Sequence, residues 1–291
     1  MLNQNNTFIH GCWRLDSWNL SNAELISFIE QLIELGIDTF DHADIYGNYS
    51  CEAIFGAALR HAPELRQQLK ITTKCGIKLP SDKFPDHTHI YDTSYQHIIA
   101  AVNRSLTNLA TDYIDTLLIH RPDMLLEGKE VARAFQQLQQ EGKVLAFGVS
   151  NFLPHQFELL QSYLDFPLTT NQVEASVLSH DNFTNGTLDY LQKLRIRPQI
   201  WSPLAGGRIF NDDTPNALRV REVLAQIALK HNAKLEQIAL AWLLRHPSRM
   251  QIILGSGKIE RIREMLASAN IQLSRDEWFK IWTAYTGHDI P

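Results

Sequence analysis

A closed barrel of eight parallel β-strands, each followed by helix, is the fold this sequence predicts. Short β-rich runs alternate with helical patterns along all 291 residues. No Pro/Gly/Ser-rich linker or charge block splits the chain, so one domain over residues 1–291 is the simpler count. Strict βα alternation implies a parallel sheet, and eight such units in this length suit a (β/α)8 barrel, the TIM-barrel architecture. An open doubly wound sheet would want G-x-G-x-x-G after the first strand, where only Gly11 stands.

The elements follow in order. Phe8 to Cys12 reads as the first strand. Ser21-x-x-Glu24 is a capping box, and Leu25, Phe28, Ile29, Leu32 and Ile33 then make one apolar helical face that stops at Gly36. Ile37 to Asp41 is the second strand, and Ile54, Phe55, Ala58 and Leu59 fit a helix. Lys70 to Lys74 is the third strand, followed by a helix carried by Ile98, Val102, Leu106 and Leu109. Tyr113 to His120 contains Leu117-Leu118-Ile119, a run suited to a strand buried on both faces. Val131, Phe135 and Leu138 mark a helix ended by Gly142. Val144 to Ser150 is the fifth strand, and Pro154 opens a helix. Leu168 to Val173 and Gln199 to Trp201 are the sixth and seventh strands, with a short helix through Leu188, Leu191 and Leu194 between them. Helices near 217–230 and 234–245 precede the last strand, Gln251 to Leu254, and helices at Lys258 to Ala267 and Arg275 to Tyr285 follow it.

Composition bounds the function. There are 27 basic and 32 acidic residues, a net charge of −5, which argues against a nucleic-acid binder working by bulk positive charge. Hydrophobic residues make up 44% of the chain, enough for a sizeable core. The three cysteines, Cys12, Cys51 and Cys75, are odd in number and widely spaced, which fits a reducing compartment better than a disulfide framework. Met1 to Thr7 has neither the basic nor the apolar region of a signal peptide. No apolar run approaches the ~18 residues a membrane span needs. A cytoplasmic protein with no membrane partner is expected.

In such a barrel, chemistry belongs at the carboxyl ends of the strands. Trp13, Asp41, Lys74, His120, Ser150-Asn151, Gln172, Trp201-Ser202 and Gly255-Ser256-Gly257-Lys258 stand there. Asp41, Lys74 and His120 fall on three adjacent strands, and Tyr46 is five residues beyond Asp41. A free tyrosine has a pKa of about 10, and a nearby ammonium lowers it. Asp41 would hold Lys74 charged and in place. A neutral His120 could donate a hydrogen bond to a carbonyl oxygen that becomes an alkoxide. No Ser or Cys is visibly paired with a base. The set suits carbonyl reduction with hydride from a cofactor. Taken singly, each residue has a plain reading as ion pair, packing or loop hydrogen bond; four on neighbouring strands are harder to explain that way.

The motifs carry a specific resemblance. They are Phe40-Asp41-His42-Ala43-Asp44-Ile45-Tyr46-Gly47, Thr73-Lys74-Cys75-Gly76, Leu118-Ile119-His120-Arg121-Pro122-Asp123, Gly148-Val149-Ser150-Asn151-Phe152, Asn171-Gln172-Val173-Glu174, Trp201-Ser202-Pro203-Leu204 and Gly255-Ser256-Gly257-Lys258. In this order they resemble the aldo-keto reductases, most of all their bacterial oxidoreductase branch. The resemblance implies NADP(H) bound without a Rossmann fold and a tetrad of Asp41, Tyr46, Lys74 and His120 with Tyr46 as general acid. It implies that Ser150, Asn151 and Gln172 hold the nicotinamide carboxamide and that Trp201 stacks on the ring. Ser202 and Leu204 match pyrophosphate contacts. Ser256 and Gly257 match phosphate contacts, and Lys258 and Arg261 match the 2′-phosphate region. At Met265 many relatives have an Asn that contacts adenine, so adenine is expected to be held less than the nicotinamide and the phosphates. A cofactor-bound regulatory or scaffold subunit with little turnover is the second reading, and a metal-dependent barrel hydrolase a third that the strand ends, lacking a His/Asp ligand set, disfavour.

The remaining signals have plainer readings. Asp86, His87 and His89 look metal-like but have no further ligands nearby in sequence, so no metal is expected. Cys12 and Cys75 read as packing. Trp13 reads either as a wall of the pocket for a small carbonyl substrate or as rim packing. Asp44 caps the Tyr46 loop or is a turn residue. Substrate choice depends on the loops after strands 1, 4 and 7 and on the tail from Leu273.

Overall fold

The computed structural model describes residues 7–81 and 88–290. Its strands are β1 (Phe8–Gly11), β2 (Thr39–Asp41), β3 (Lys70–Cys75), β4 (Ile77–Lys78), β5 (Ile90–Tyr91), β6 (Ile114–Ile119), β7 (Val144–Ser150), β8 (Asn171–Glu174), β9 (Gln199–Trp201) and β10 (Gln251–Leu254). Eight of them close into a barrel in the order β1-β10-β9-β8-β7-β6-β3-β2. The pairs are parallel, with Asp41 beside Gly11 and Thr72, Lys74 beside Leu118, and Ser150 beside Gln172. Helices fill the crossovers, as a parallel sheet requires.

Local chemistry explains the boundaries. Ser21 Oγ accepts the Glu24 N–H at 3.3 Å while Glu24 Oε2 accepts the Ser21 N–H at 2.8 Å, so the helix Asn22–Glu34 starts on the expected capping box. Pro154 is the first residue of the helix Pro154–Gln161. Leu117, Leu118 and Ile119 of β6 are at most 1% exposed, the burial expected of a strand covered on both faces.

Strand ends shift by one or two residues at several places, as at β2, expected from Ile37 and starting at Thr39, and two differences are larger. The strands β4 and β5 form an antiparallel pair, Ile77 opposite Tyr91 and Lys78 opposite Ile90. Two residues per strand carry no readable period, so the pattern missed them. The strand expected from Leu168 begins at Asn171. Leu168 spends its N–H on the Gln161 side chain at 2.8 Å rather than on a neighbouring strand.

Contacts group the described residues into two compact units, one within Ile9–Gln172 and one made of residues 173–290 with Thr7 and Phe8. In the first, Phe135 and Phe147 stack with centroids 4.2 Å apart inside an aliphatic core that includes Ile9, Ile71 and Leu118. In the second, Trp242 and Trp278 stack at 4.8 Å, and each indole N–H donates to the other's carbonyl oxygen at 3.0 Å. That reciprocal pair ties the helix Arg275–Thr286 to the helix Leu235–Leu244. Buried indoles need a partner for their N–H, and here each supplies the other's. Among the described residues no helix is long and apolar enough to cross a membrane.

Gly56, on the helix Cys51–His61, lets that helix touch the one at Tyr95–Leu109: a Cβ added there would meet the Asn108 carbonyl oxygen at 1.9 Å. Backbone cannot yield as a side-chain tip can. Gly56→Ala is therefore expected to destabilise the protein by about 2 kcal/mol or more, despite alanine's better helix propensity. Urea midpoints of the two proteins check it; an unchanged or raised midpoint would contradict this packing.

Candidate active site

Asp41 is the last residue of β2, and Lys74 lies near the end of the adjacent β3. The pair is 3% and 1% exposed. Lys74 Nζ donates to Asp41 Oδ1 and Oδ2 at 2.8 and 2.7 Å, to the His42 carbonyl at 2.8 Å and to the Tyr46 hydroxyl oxygen at 3.0 Å. The Gln172 side-chain amide donates to Asp41 Oδ1 at 2.7 Å. The His120 ring stands edge-on to Tyr46, centroids 6.0 Å apart. His120 donates its main-chain N–H to the Cys75 carbonyl at 2.9 Å, which seats it one residue past β6. All four predicted tetrad residues thus come together in the Ile9–Gln172 unit.

The electrostatics set protonation states. Burial opposes the charge on Lys74, but the carboxylate of Asp41 and the oxygen of Tyr46 outweigh it, and the net pKa is raised. For Tyr46 the expectation needs correcting. Lys74 does pull its pKa down, yet burial is the larger influence and the Asp41 charge adds to it, so the net shift is upward. The phenol therefore keeps its proton at neutral pH. Burial first, then the charges of Lys74 and Arg121, hold the His120 pKa well below 6.5, so its ring is neutral. His120 Nδ1 is buried without a hydrogen-bond partner among the described residues.

Ser150 and Asn151 leave the end of β7 beside Gln172. Ser150 Oγ donates to the Gln172 carbonyl at 2.9 Å and accepts from Asn151 Nδ2 at 2.8 Å, with Asn151 in the left-handed region at φ 62°. Trp13 follows Cys12, whose N–H donates to the Asp41 carbonyl at 2.9 Å, and is 57% exposed. Cys12 and Cys75 are buried, and burial pushes both thiols well above the usual range, as packing residues would show. The His42 carbonyl as a ligand of Lys74 was not foreseen, because a main-chain acceptor leaves no mark on residue type.

The unit from Val173 on carries the other candidates. Trp201 ends β9, and Ser202 follows at φ 49°, its carbonyl accepting the Ala205 N–H at 2.8 Å. Gly207 donates its N–H to the Leu204 carbonyl at 2.9 Å. Ser256 and Gly257 precede the helix Ile259–Leu266, with Lys258 as its cap and its N–H donating to Ser256 Oγ at 3.2 Å. Lys258 and Arg261 are exposed. Glu264, one turn on, is paired instead with Lys234 at 2.6 Å. Met265 is only 7% exposed, so its apolar surface is spent inside the protein. Among the described residues no three His, Cys, Asp or Glu side chains are grouped to hold a metal ion. Asp86 and His87 of the metal-like loop, like Met1 to Asn6, lie outside the described residues.

A model of the Aldo/keto reductase family matches residues 7–285. The chain is 51% identical to the oxidoreductase YdhF of Escherichia coli (strain K12), over 98% of this chain and 95% of that protein. It is 41% identical to a 6-dehydroglucose reductase of Agrobacterium fabrum, over 97% of this chain and 95% of that one. A crystallised thermostable aldo-keto reductase, in complex with the inhibitor epalrestat, superposes with a TM-score of 0.79 at 26% identity, covering 96% of this chain and 94% of the other.

Burial of histidines makes the protein acid-sensitive. Burial lowers His10 and His42 to about 3 and His97 and His180 to about 4, and His120 also lies below its ordinary value. As pH falls through 6.5 the unfolded chain takes up these protons and the folded one does not, so stability is lost. The buried carboxyls of Asp44 and Glu52 act in the opposite sense, because burial raises them. The histidines outnumber them, so a net loss of about 3 kcal/mol per pH unit is expected between pH 6 and 5. Urea midpoints at pH 7, 6 and 5 measure it; a constant midpoint would show that these rings are not held neutral.

Proposed function

The chain belongs to the aldo/keto reductase family, and from that premise we propose that it reduces an aldehyde or ketone to the alcohol with NADPH, Tyr46 giving the proton. The family and its oxidoreductase relatives make it an oxidoreductase; the cofactor, the residue roles and a cytoplasmic location are part of the proposal. The observation that carries it is the line from the buried Asp41–Lys74 pair to the half-buried Tyr46, with contacts of 2.7, 2.8 and 3.0 Å.

The residues fit a nicotinamide dinucleotide phosphate. Lys258 and Arg261 are cations at the start of a helix, and the neighbouring carboxylate of Glu264 is neutralised elsewhere. A helix N-terminus flanked by exposed cations suits a phosphate. Ser202, Leu204, Ser256 and Gly257 would contact the phosphates, Trp201 the nicotinamide ring, and Ser150, Asn151 and Gln172 its carboxamide. When bound, the cofactor supplies a hydride to the carbonyl carbon.

The chain's own residues manage the oxygen. A substrate carbonyl oxygen takes a hydrogen bond from the Tyr46 phenol and one from the neutral His120 ring. As negative charge builds on that oxygen, Tyr46 transfers its proton to it. The phenolate left behind is stabilised by the Lys74 ammonium at 3.0 Å. Asp41 keeps that ammonium charged and aimed. The raised pKa of Tyr46 keeps the donor loaded before the reaction, and Lys74 limits the cost of unloading it. Trp13 would wall the substrate side.

Two outcomes test this reading. Tyr46→Phe should lower kcat on a generic aldehyde such as 4-nitrobenzaldehyde by ~10²–10⁴, the scale of a lost general acid, with NADPH affinity nearly unchanged. Near wild-type turnover by the variant would remove Tyr46 from the role, and no NADPH oxidation by the wild type with any carbonyl compound would favour a cofactor-bound regulatory subunit. NADPH should be preferred over NADH by roughly 10–150-fold, the worth of a charged contact of ~1.5–3 kcal/mol, and Arg261→Ala should erode the preference. Equal affinity for the two cofactors would contradict the assignment of Lys258 and Arg261.

A further inference from the structure

Two guanidinium groups in the Ile9–Gln172 unit are treated differently. Arg66 donates to Thr111 Oγ1, to the carbonyls of Leu69 and Tyr113 and to the carboxylate of Asp115, at distances of 2.7 or 2.9 Å. Arg104, half-buried on the helix Tyr95–Leu109, makes no hydrogen bond or ion pair among the described residues. A guanidinium carries five donors and no acceptor, and drawing it out of water without acceptors costs free energy. Arg104 is therefore open to an acceptor from outside the chain.

Arg104 lines a cavity of about 170 Å3. The other described lining residues are His97, two turns back on the same helix, Ile77 and Lys78 of β4, and Tyr49. Lys78 has a single contact among the described residues, 3.4 Å to Asp92 Oδ2, which is long for a charged hydrogen bond. The His97 side chain is 10% exposed, and its Nδ1 lies 3.9 Å from Asp92 Oδ2, beyond hydrogen-bond reach. Its Nε2 is buried with no partner among the described residues. Burial lowers the ring to about 4, so it is neutral, and with Nδ1 uncommitted its hydrogen can sit on Nε2.

Three carboxyl groups stand around these cations. Asp92 divides its charge between Lys78 and the Ser94 N–H and hydroxyl, at 3.1 and 2.7 Å. Asp44 and Glu52 feel the charge of Arg104, but no ion pair joins either to it, and burial raises both, which weakens their negative charge. Glu52 is also spent on the Thr73 hydroxyl at 2.6 Å. Lys78 and Arg104 are thus compensated in part only.

We propose that this cavity binds a small oxyanion of the phosphate or sulfate type, with Arg104 and Lys78 as its counter-charges and His97 as a neutral donor. The fork of a guanidinium matches two oxygens of such an ion, and a lysine adds a point charge. The cavity is smaller than the ~300 Å3 at which pockets for drug-sized ligands begin, so its occupant is a compact ion and not a nucleotide. None of Asp41, Tyr46, Lys74 or His120 is among the described lining residues, so the site is separate from the candidate active site and independent of the carbonyl-reductase reading.

Calorimetric titration of the full chain with inorganic phosphate and with sulfate, at constant ionic strength in chloride, tests it. Two charged contacts should give a saturable isotherm with a Kd of about 1 mM or tighter, and acetate, with one charge, should bind more weakly. Arg104→Gln and Lys78→Gln should each weaken phosphate roughly tenfold or more, and Arg104→Lys by less. Lys258→Gln/Arg261→Gln, at exposed positions on another helix, should leave the isotherm unchanged. Circular dichroism checks the fold of each variant; if Arg104→Gln does not fold, Lys78→Gln, which loses only one long contact, carries the test. The site is overturned if wild type shows no saturation up to about 20 mM, well above the expected constant. Undiminished affinity in Lys78→Gln overturns it too. An isotherm lost in Lys258→Gln/Arg261→Gln places the ion at the start of the helix Ile259–Leu266 and not in the cavity.

Discussion

A lysine ammonium that is 1% exposed has to be matched on every side, and the Ile9–Gln172 unit is organised around that demand. Taking both charges of a Lys–Asp pair out of water costs about as much as their attraction returns, so the pair is weak evidence of stability. Removing one partner would leave the other stranded at a cost of ~3–5 kcal/mol. Lys74 therefore takes two carboxylate oxygens and the His42 carbonyl, and its last contact goes to the Tyr46 hydroxyl. Asp41 in turn accepts from Gln172. The bonds to Tyr46 and Gln172 that satisfy the ion pair also fix residues of the candidate site.

The main chain carries the same pairing outward. The Asp44 N–H donates to the Lys74 carbonyl at 3.1 Å and the Tyr46 N–H to the Ala43 carbonyl at 3.1 Å, so β3 holds the loop that presents Tyr46. Gly47, Asn48 and Tyr49 then run through left-handed backbone at φ 57°, 51° and 69°. For the two with side chains that costs of order 1–2 kcal/mol each and persists only where the surroundings compel it. The Tyr49 hydroxyl accepts the Leu79 N–H at 2.8 Å, and Ser50 Oγ donates to the Gly47 carbonyl. Strain next to Tyr46, held by side-chain bonds, is a means of fixing the phenol within reach of one cation.

The same burial that tunes Tyr46 upward and His120 downward gives the site its division of labour. Desolvation disfavours charge on either ring, so both are neutral and each carries a hydrogen it can donate. The charge beside these rings is that of the Lys74–Asp41 ion pair, in which the ammonium is the group that touches the Tyr46 oxygen. A site built from neutral donors around one fixed cation is suited to an oxygen that gains negative charge during reaction and carries none before it.

Sequence by itself determined the barrel and most of the candidate site. Alternation of β and helical periods needs only local residue order, and the buried run Leu117-Leu118-Ile119 already marks a doubly covered strand. Asp41, Lys74 and His120 were legible because strand ends are where a barrel gathers its chemistry. What tertiary structure decided is what depends on dielectric and on main-chain atoms. The direction of the Tyr46 shift is a contest between an ammonium and burial, and sequence holds the first and not the second. The His42 carbonyl, the left-handed run after Tyr46 and the pair β4–β5 involve backbone groups that any residue carries. Met265 reads as a missing hydrogen bond in sequence and as buried packing in the fold, since one helix face cannot be told from another until its neighbours are in place.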